Sequence, residues 1–222
     1  MAVGVALLGS VYAVPQLAQA GDSHAFADDS RQLSIGTQRF DPKSASAYRT
    51  GTKSAAGGAL RLVQFTETPR QEWRDSLQQS GNHVIQYYPH NAYLVWGDDS
   101  AAGAAEAMPF VRWQGTVSPD WKLAPDLKGR LGPIDNVQML VYDDGNLSNV
   151  LAQIEGFGAR VLNTFDAQPD GALKSVILKI DAGQLAAVHA LPQVLWTEYS
   201  GPRPIFDDEM RDRKSTRLNS SH

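Results

Sequence analysis

Met108-Pro109-Phe110-Val111-Arg112-Trp113 and Leu191-Pro192-Gln193-Val194-Leu195-Trp196 spell one pattern, [Met/Leu]-Pro-x-Val-x-Trp. In both, a proline stops a helix-forming stretch and a β-branched and aromatic run starts a strand. Walking back from each, the same elements recur in the same order at a nearly constant offset, which a tandem duplication explains. Each copy reads strand, helix, strand, strand, helix, strand. A unit of this plan rarely carries catalysis unaided and commonly binds a partner.

The first copy opens with a strand at Leu60 to Phe65. Thr68-Pro69-Arg70-Gln71 then offers a cap, a first-turn proline and a capping-box glutamine to a helix that carries Trp73 and Leu77 on one face and ends at Gly81. Strands follow at His83 to Tyr88 and Ala92 to Trp96 around the turn Pro89-His90-Asn91, then an Ala-rich helix from Ser100 to Ala107 and a strand from Phe110 to Gln114. A Pro- and Gly-punctuated connector leads to the second copy. There the strand Val137 to Tyr142 precedes a helix at Leu147 to Glu155, whose Leu147, Val150, Leu151 and Ile154 follow the spacing of a buried stripe. Strands at Ala159 to Phe165 and Lys174 to Ile180, a helix at Ala182 to Ala190 begun by Asp181 and Gln184, and a strand at Gln193 to Tyr199 complete it.

The fold class expected is therefore α+β: two tandem ferredoxin-like βαββαβ modules, each a four-stranded antiparallel sheet with two helices on one face. The division is residues 60–115 for the first module, 116–136 for the connector, 137–200 for the second module and 201–211 for a tail. Adjacent apolar residues such as Leu62 with Val63, Met139 with Leu140 and Ile177 with Leu178 make the strands apolar on both faces, whereas a sheet wetted on one side alternates. The helix-free faces thus need a cover, supplied either by the two copies packing on each other or by another domain.

The ends read differently. Val3 to Val14 is apolar or small and Ala18-Gln19-Ala20-Gly21 follows, the small-x-small pattern of signal-peptide cleavage, so residues 1–20 are expected to be a signal peptide and the protein to be secreted or periplasmic. The apolar run is too short to span a bilayer, so no stable membrane anchor is expected. Residues 21–59, rich in Ser, Ala, Gly, Thr and Asp without a period, read as a flexible leader. Asp212 to His222 is, codon for codon, the translation of a common sequencing adapter, and is set aside as an artefact.

Composition narrows the chemistry. The 222 residues suffice for two cored units, and the absence of cysteine removes disulfides, thiolate catalysis and cysteine-ligated metal. A net charge of −4, with 20 basic residues scattered among 24 acidic ones, gives no basic face for nucleic acid. His24, His83, His90, His189 and His222 form no metal-spaced pair, and none lies near a GxSxG serine; His90 reads as a turn residue and His189 as an exposed helix position. Asp143-Asp144 and Asp207-Asp208-Glu209 lack the spacing of a calcium loop and read as solvated surface. Gly129-Arg130-Leu131-Gly132 and Gly156-Phe157-Gly158 read as connector and helix stop rather than a phosphate cradle. No catalytic residue, cofactor site or metal site is expected in this chain.

Leu62-Val63-Gln64-Phe65, the stretch from Gly81 ending Tyr87-Tyr88-Pro89, Asn91-Ala92-Tyr93-Leu94-Val95, Phe110-Val111-Arg112-Trp113 and Pro119-Asp120-Trp121-Lys122-Leu123 resemble, in order and spacing, the N-terminal region of secreted subtilisin-like serine proteases with long prosegments. The resemblance covers about residues 60 to 211. It implies a prosegment that assists folding of its catalytic domain, the partner in cis, and then blocks its cleft. It also implies that the sheet docks on the protease and that the tail Tyr199, Ser200, Gly201, Pro202, Arg203, Pro204, Ile205 and Phe206 runs extended through the cleft, where its prolines disfavour helix. The family's catalytic Ser, His and Asp motifs are absent from this sequence, so the catalytic domain is expected to lie beyond it. A standalone exported proteinase inhibitor or peptide-binding module is the alternative reading.

Overall fold

The computed structural model describes residues 31–35, 38–44 and 57–201. They form an α+β architecture of antiparallel sheets with few helices: two four-stranded sheets and a two-stranded one. The small sheet is a hairpin, β1 (Leu33–Ile35) with β2 (Gln38–Phe40). The first large sheet is built from β3 (Ala59–Phe65), β4 (His83–Tyr88), β5 (Ala92–Gly97) and β6 (Val111–Thr116), in the order β4-β5-β3-β6. The second uses β7 (Pro133–Tyr142), β8 (Arg160–Asp166), β9 (Leu173–Asp181) and β10 (Val194–Tyr199), in the order β10-β7-β9-β8. In each, the first strand of its set is central and the last lies at an edge.

Helices α1 (Gln71–Gln79) and α2 (Asp99–Glu106) pack on one face of the first sheet, where Leu77 and Ala105 join Val63, Phe65 and Val95. Phe65, Trp73 and Phe110 stack nearly parallel there, with Trp73 and Phe110 centroids 5.0 Å apart. Helices α3 (Leu147–Gly156) and α4 (Leu185–His189) cover one face of the second sheet, where Val150, Ile154, Leu185 and Val188 meet Val137, Met139, Val176 and Leu178. The stripe read from Leu147, Val150, Leu151 and Ile154 is thus the α3 face that enters the core, with Val150 and Ile154 fully buried.

The local signals are met unevenly. Gly81 and Gly158 close α1 and α3 with positive φ, and His90 and Asn91, with φ of 65° and 62°, join Pro89 in the three-residue turn between β4 and β5. The capping box at Thr68 does not form. α1 starts after Arg70 with no side-chain cap, and Arg70 instead pairs with Glu67 at 2.8 Å. α2 is capped one residue earlier than its Ala-rich run, by the Asp98 carboxylate accepting from Ala101 N–H. The second sheet opens at Pro133 rather than Val137, because a bulge at 135–136, with Asn136 in the left-handed region, lets β7 pair with β9 on both sides of the irregularity.

The larger correction concerns residues 21–59, read as an exposed leader. Within it, residues 33–35 and 38–40 pair as the β1–β2 hairpin, whose Leu33 and Ile35 are buried. Ile35 and Phe40 join Leu60, Leu62, Trp121 and Leu195 in one cluster, and the Phe40 and Trp121 rings lie 5.2 Å apart. Arg112 holds the hairpin from below, donating to both Asp41 carboxylate oxygens at 2.8 Å, to Gln64 Oε1 at 2.7 Å and to Arg31 C=O at 3.2 Å. Three-residue strands carry too little alternation to stand out in a polar stretch, and an apolar face exposed nearby supplies the energy that local propensity does not.

That same cluster answers what covers the helix-free faces. On the first sheet the register puts Leu60 beside Trp96 and Leu62 beside Leu94, away from the helices. These residues meet Tyr142, Leu173 and Leu195 of the second sheet. Trp96 stacks on Tyr142 at 4.8 Å, the Tyr142 hydroxyl hydrogen-bonds His83 Nδ1 at 2.9 Å, and Gln168 donates to Gln86 at 2.8 Å. The two large sheets therefore face each other across a shared core, closed at one side by the hairpin. Gly115 leaves room for the Trp113 indole, which lies across the strand where a Cβ would otherwise displace it.

Candidate docking face and trailing strand

The helix-free face of the second sheet is only partly covered. Its register arranges it in cross-strand rows. Tyr142 and Leu173 form the row buried against the first sheet. Next come Trp196, Leu140, Ser175 and Phe165, of which the three apolar members are half-buried. Beyond them lie Glu198, Gln138, Ile177 and Asn163, where Ile177 is half-buried and Asn163 exposed. Trp196 Nε1–H donates to Glu198 Oε2 at 3.0 Å, fixing the indole across two rows. The face thus grades from sealed core to an apolar strip with a polar margin. An open groove of about 420 Å³ lies elsewhere, between α1 and the edge strand β4, where Arg74 and Tyr87 are among its lining residues.

The strip borders β10, which is an edge strand. Part of its free side is taken by the connector: Thr197 N–H donates to Lys122 C=O at 2.7 Å and Ala124 N–H to Thr197 C=O at 2.9 Å. Strand alternation turns the Tyr199 N–H and C=O toward that same side, past the end of the connector's cover.

Connector and strand are locked by a buried polar cluster. Pro119-Asp120-Trp121 makes a single 3-10 turn that drops Trp121 into the shared core and Lys122 beneath α4. The Lys122 ammonium donates to the C=O groups of His189 and Leu191 at 2.8 and 2.9 Å, satisfying carbonyls that the end of a helix leaves open. His189 is buried, not exposed as its helical position predicts, and its Nε2 hydrogen-bonds Thr197 Oγ1 at 3.0 Å. A five-residue α4 is too short for its sequence pattern to reveal which side faces inward. Burial lowers the Lys122 ammonium to about 8. Burial and then the Lys122 charge lower the His189 imidazole to about 4, so at neutral pH it is an uncharged ring.

Of the tail residues read from sequence, Tyr199 is the last residue of β10, opposite Val137. The Arg130 guanidinium lies 4.6 Å from its ring centroid, a cation–π contact. Ser200 N–H donates to Asn136 C=O at 2.7 Å, extending the pairing by one residue. Gly201 lies directly under the Tyr199 ring, where a Cβ would clash. Pro202, Arg203, Pro204, Ile205 and Phe206 lie outside the described residues, as do the signal-peptide segment 1–20, His24, the acidic run at 207–209 and the adapter segment 212–222. Sequence reasoning missed Trp196, Leu140 and Phe165 as members of the strip, although the adjacent apolar pairs Met139-Leu140 and Ile177-Leu178 carry its signal. Among the described residues no group of three His, Asp or Glu side chains could hold a metal ion. No described helix is long and apolar enough to cross a membrane.

Residues 34–118 match a family model described as a domain of unknown function, DUF8729. The matched segment opens inside β1 and closes just past β6, so it takes in the hairpin together with the first large sheet. No curated protein matches the chain. A solved structure of a microcompartments protein from Desulfitobacterium hafniense DCB is similar at a TM-score of 0.29 and 14% identity, over 70% of this chain and 99% of that one.

Proposed function

We propose that this chain is the prosegment of an exported subtilisin-like serine endopeptidase: two tandem ferredoxin-like βαββαβ modules that assist folding of the catalytic domain and then block its cleft. The observation that carries the reading is the half-covered apolar strip of Trp196, Leu140, Ile177 and Phe165, which adjoins the one edge strand whose chain continues into Gly201-Pro202-Arg203-Pro204. A docking face and a helix-averse tail issuing from its border are what an inhibitor needs to reach a neighbouring cleft and add to it as a strand. The first sheet has no equivalent free face, since the hairpin and the second sheet lie against it. The second module is therefore the docking copy and the first its support.

The partner in this reading is the catalytic domain of a subtilisin-like enzyme, and the tail from Tyr199 to Phe206 is the inhibitory segment. The physical need is plain: a mostly parallel α/β enzyme forms many non-local contacts, and a preformed apolar surface lowers the cost of assembling the elements that dock on it. The purified chain should slow a subtilisin-like endopeptidase and raise its yield on refolding from denaturant. Inhibition without assistance to refolding points to a standalone inhibitor, and neither effect rejects the proposal.

A further inference from the structure

The loop between the two large sheets carries an unused feature. Lys128, Gly129, Arg130 and Leu131 are all exposed, and Leu131 is 92% exposed, the most open large hydrophobic side chain among the described residues. The others are Tyr87 at 52%, Leu162 at 42% and Tyr199 at 38%, and each of these sits within a strand, β4, β8 or β10. A strand in a sheet cannot be drawn extended into an endopeptidase cleft without breaking its ladder, whereas a loop can. Gly129 and Gly132, at φ of 77° and 71°, flank the segment with backbone freedom, and Leu127 and Ile134, both buried, anchor its ends.

We propose that the Arg130–Leu131 bond is a processing site for an endopeptidase that reads a basic residue before the bond or a large apolar residue after it. Water adds across the amide, leaving a carboxylate on Arg130 and an ammonium on Leu131. A cut one bond later, between Leu131 and Gly132, is disfavoured because Pro133 has no N–H to offer a cleft and Gly132 C=O already accepts from Ala182 N–H at 2.9 Å. Arg130 must leave the Tyr199 ring and the Asp126 C=O, to which its Nε–H donates at 2.9 Å, before it can be read. Both contacts are solvent-exposed and weak.

The cut leaves the halves joined without a covalent link. Residues 117–127 stay with the first fragment, yet Lys122 is anchored in α4 and 122–124 on β10 of the second, while Trp96 and Tyr142 remain stacked. The product is a nicked two-fragment complex that has lost the Arg130 contact to Tyr199 at the head of the tail.

The test is limited proteolysis of the full chain with trypsin and, separately, with thermolysin, read by N-terminal sequencing and by size-exclusion chromatography under native conditions. The first cut within residues 57–201 should generate the N-terminus Leu131-Gly132-Pro133 with both enzymes, and the two fragments should co-elute until denaturant is added. R130Q should abolish the tryptic cut there and leave the thermolysin cut, and L131S should do the reverse, each by at least tenfold in rate. A first internal cut elsewhere, for example at Arg70–Gln71, or fragments that separate without denaturant, overturns the proposal. The proposed function does not enter this outcome, since neither enzyme is subtilisin-like.

Discussion

At the scale of single residues, the buried trio Lys122, His189 and Thr197 decides how the trailing strand is held. His189 titrates near 4 when folded and near its ordinary 6.5 when unfolded, so between those values the unfolded chain binds more protons. Its contribution is present in full above 6.5 and is lost as the pH falls toward 4, by about 3 kcal/mol in all. Lys122, lowered to about 8, behaves likewise between 8 and 10.5, where stability should rise with pH. Urea unfolding at pH 4.5 and 7 should show the acid loss in the native sequence and a much smaller one in His189→Gln. Lys122→Ala leaves the His189 and Leu191 carbonyls without their buried donor and should cost about 1–3 kcal/mol at neutral pH. The lysine was visible in sequence only as part of Pro119-Asp120-Trp121-Lys122-Leu123, a motif whose reason lies in a contact nearly seventy residues away. No local period reports such a contact.

At the scale of elements, the hairpin is the piece that sequence patterns concealed. The long strands, the α3 stripe and the β4–β5 turn were legible because each carries its own period or turn chemistry over several residues. β1 and β2 carry three residues each and owe their place to the apolar face they cover and to Arg112. Burial alone pushes the Asp41 carboxyl up, but hydrogen bonds from Arg112 and from Lys43 N–H, with the Arg112 charge, bring it below its ordinary value. The pair therefore contributes in full above the unfolded carboxyl range and loses that contribution as the pH falls from there to the lowered folded value. Asp41→Asn should destabilise the protein by about 1–3 kcal/mol at pH 7, because it leaves a largely buried guanidinium without its counter-charge, and the difference from the native chain should shrink in acid. Hydrogen exchange should speed up first at 33–40 in that variant. The candidate site divides the same way: the strand ending at Tyr199 was legible from its β-branched and aromatic run, whereas the strip depends on which face of β7, β9 and β10 the first sheet leaves uncovered. A one-residue slip in register exchanges the faces, so that choice is made by tertiary pairing.

At the scale of the whole molecule, the two sheets form one structure through the interface of Trp96, Tyr142, Leu60, Leu62, Leu173 and Leu195. Trp96→Ala should cost about 3–5 kcal/mol and lower the unfolding midpoint of both halves together in calorimetry, since each sheet loses its cover. Independent melting of the halves would show that the interface is dispensable. The proposed docking of the second sheet on a subtilisin-like catalytic domain is tested most directly by hydrogen–deuterium exchange on the full chain, alone and with an enzyme whose catalytic serine has been replaced by alanine. Protection is expected in β8, β9 and β10 and across the tail from Tyr199, with the strands of the first sheet unchanged. Protection confined to the first sheet, or none anywhere at saturating enzyme, would contradict the account.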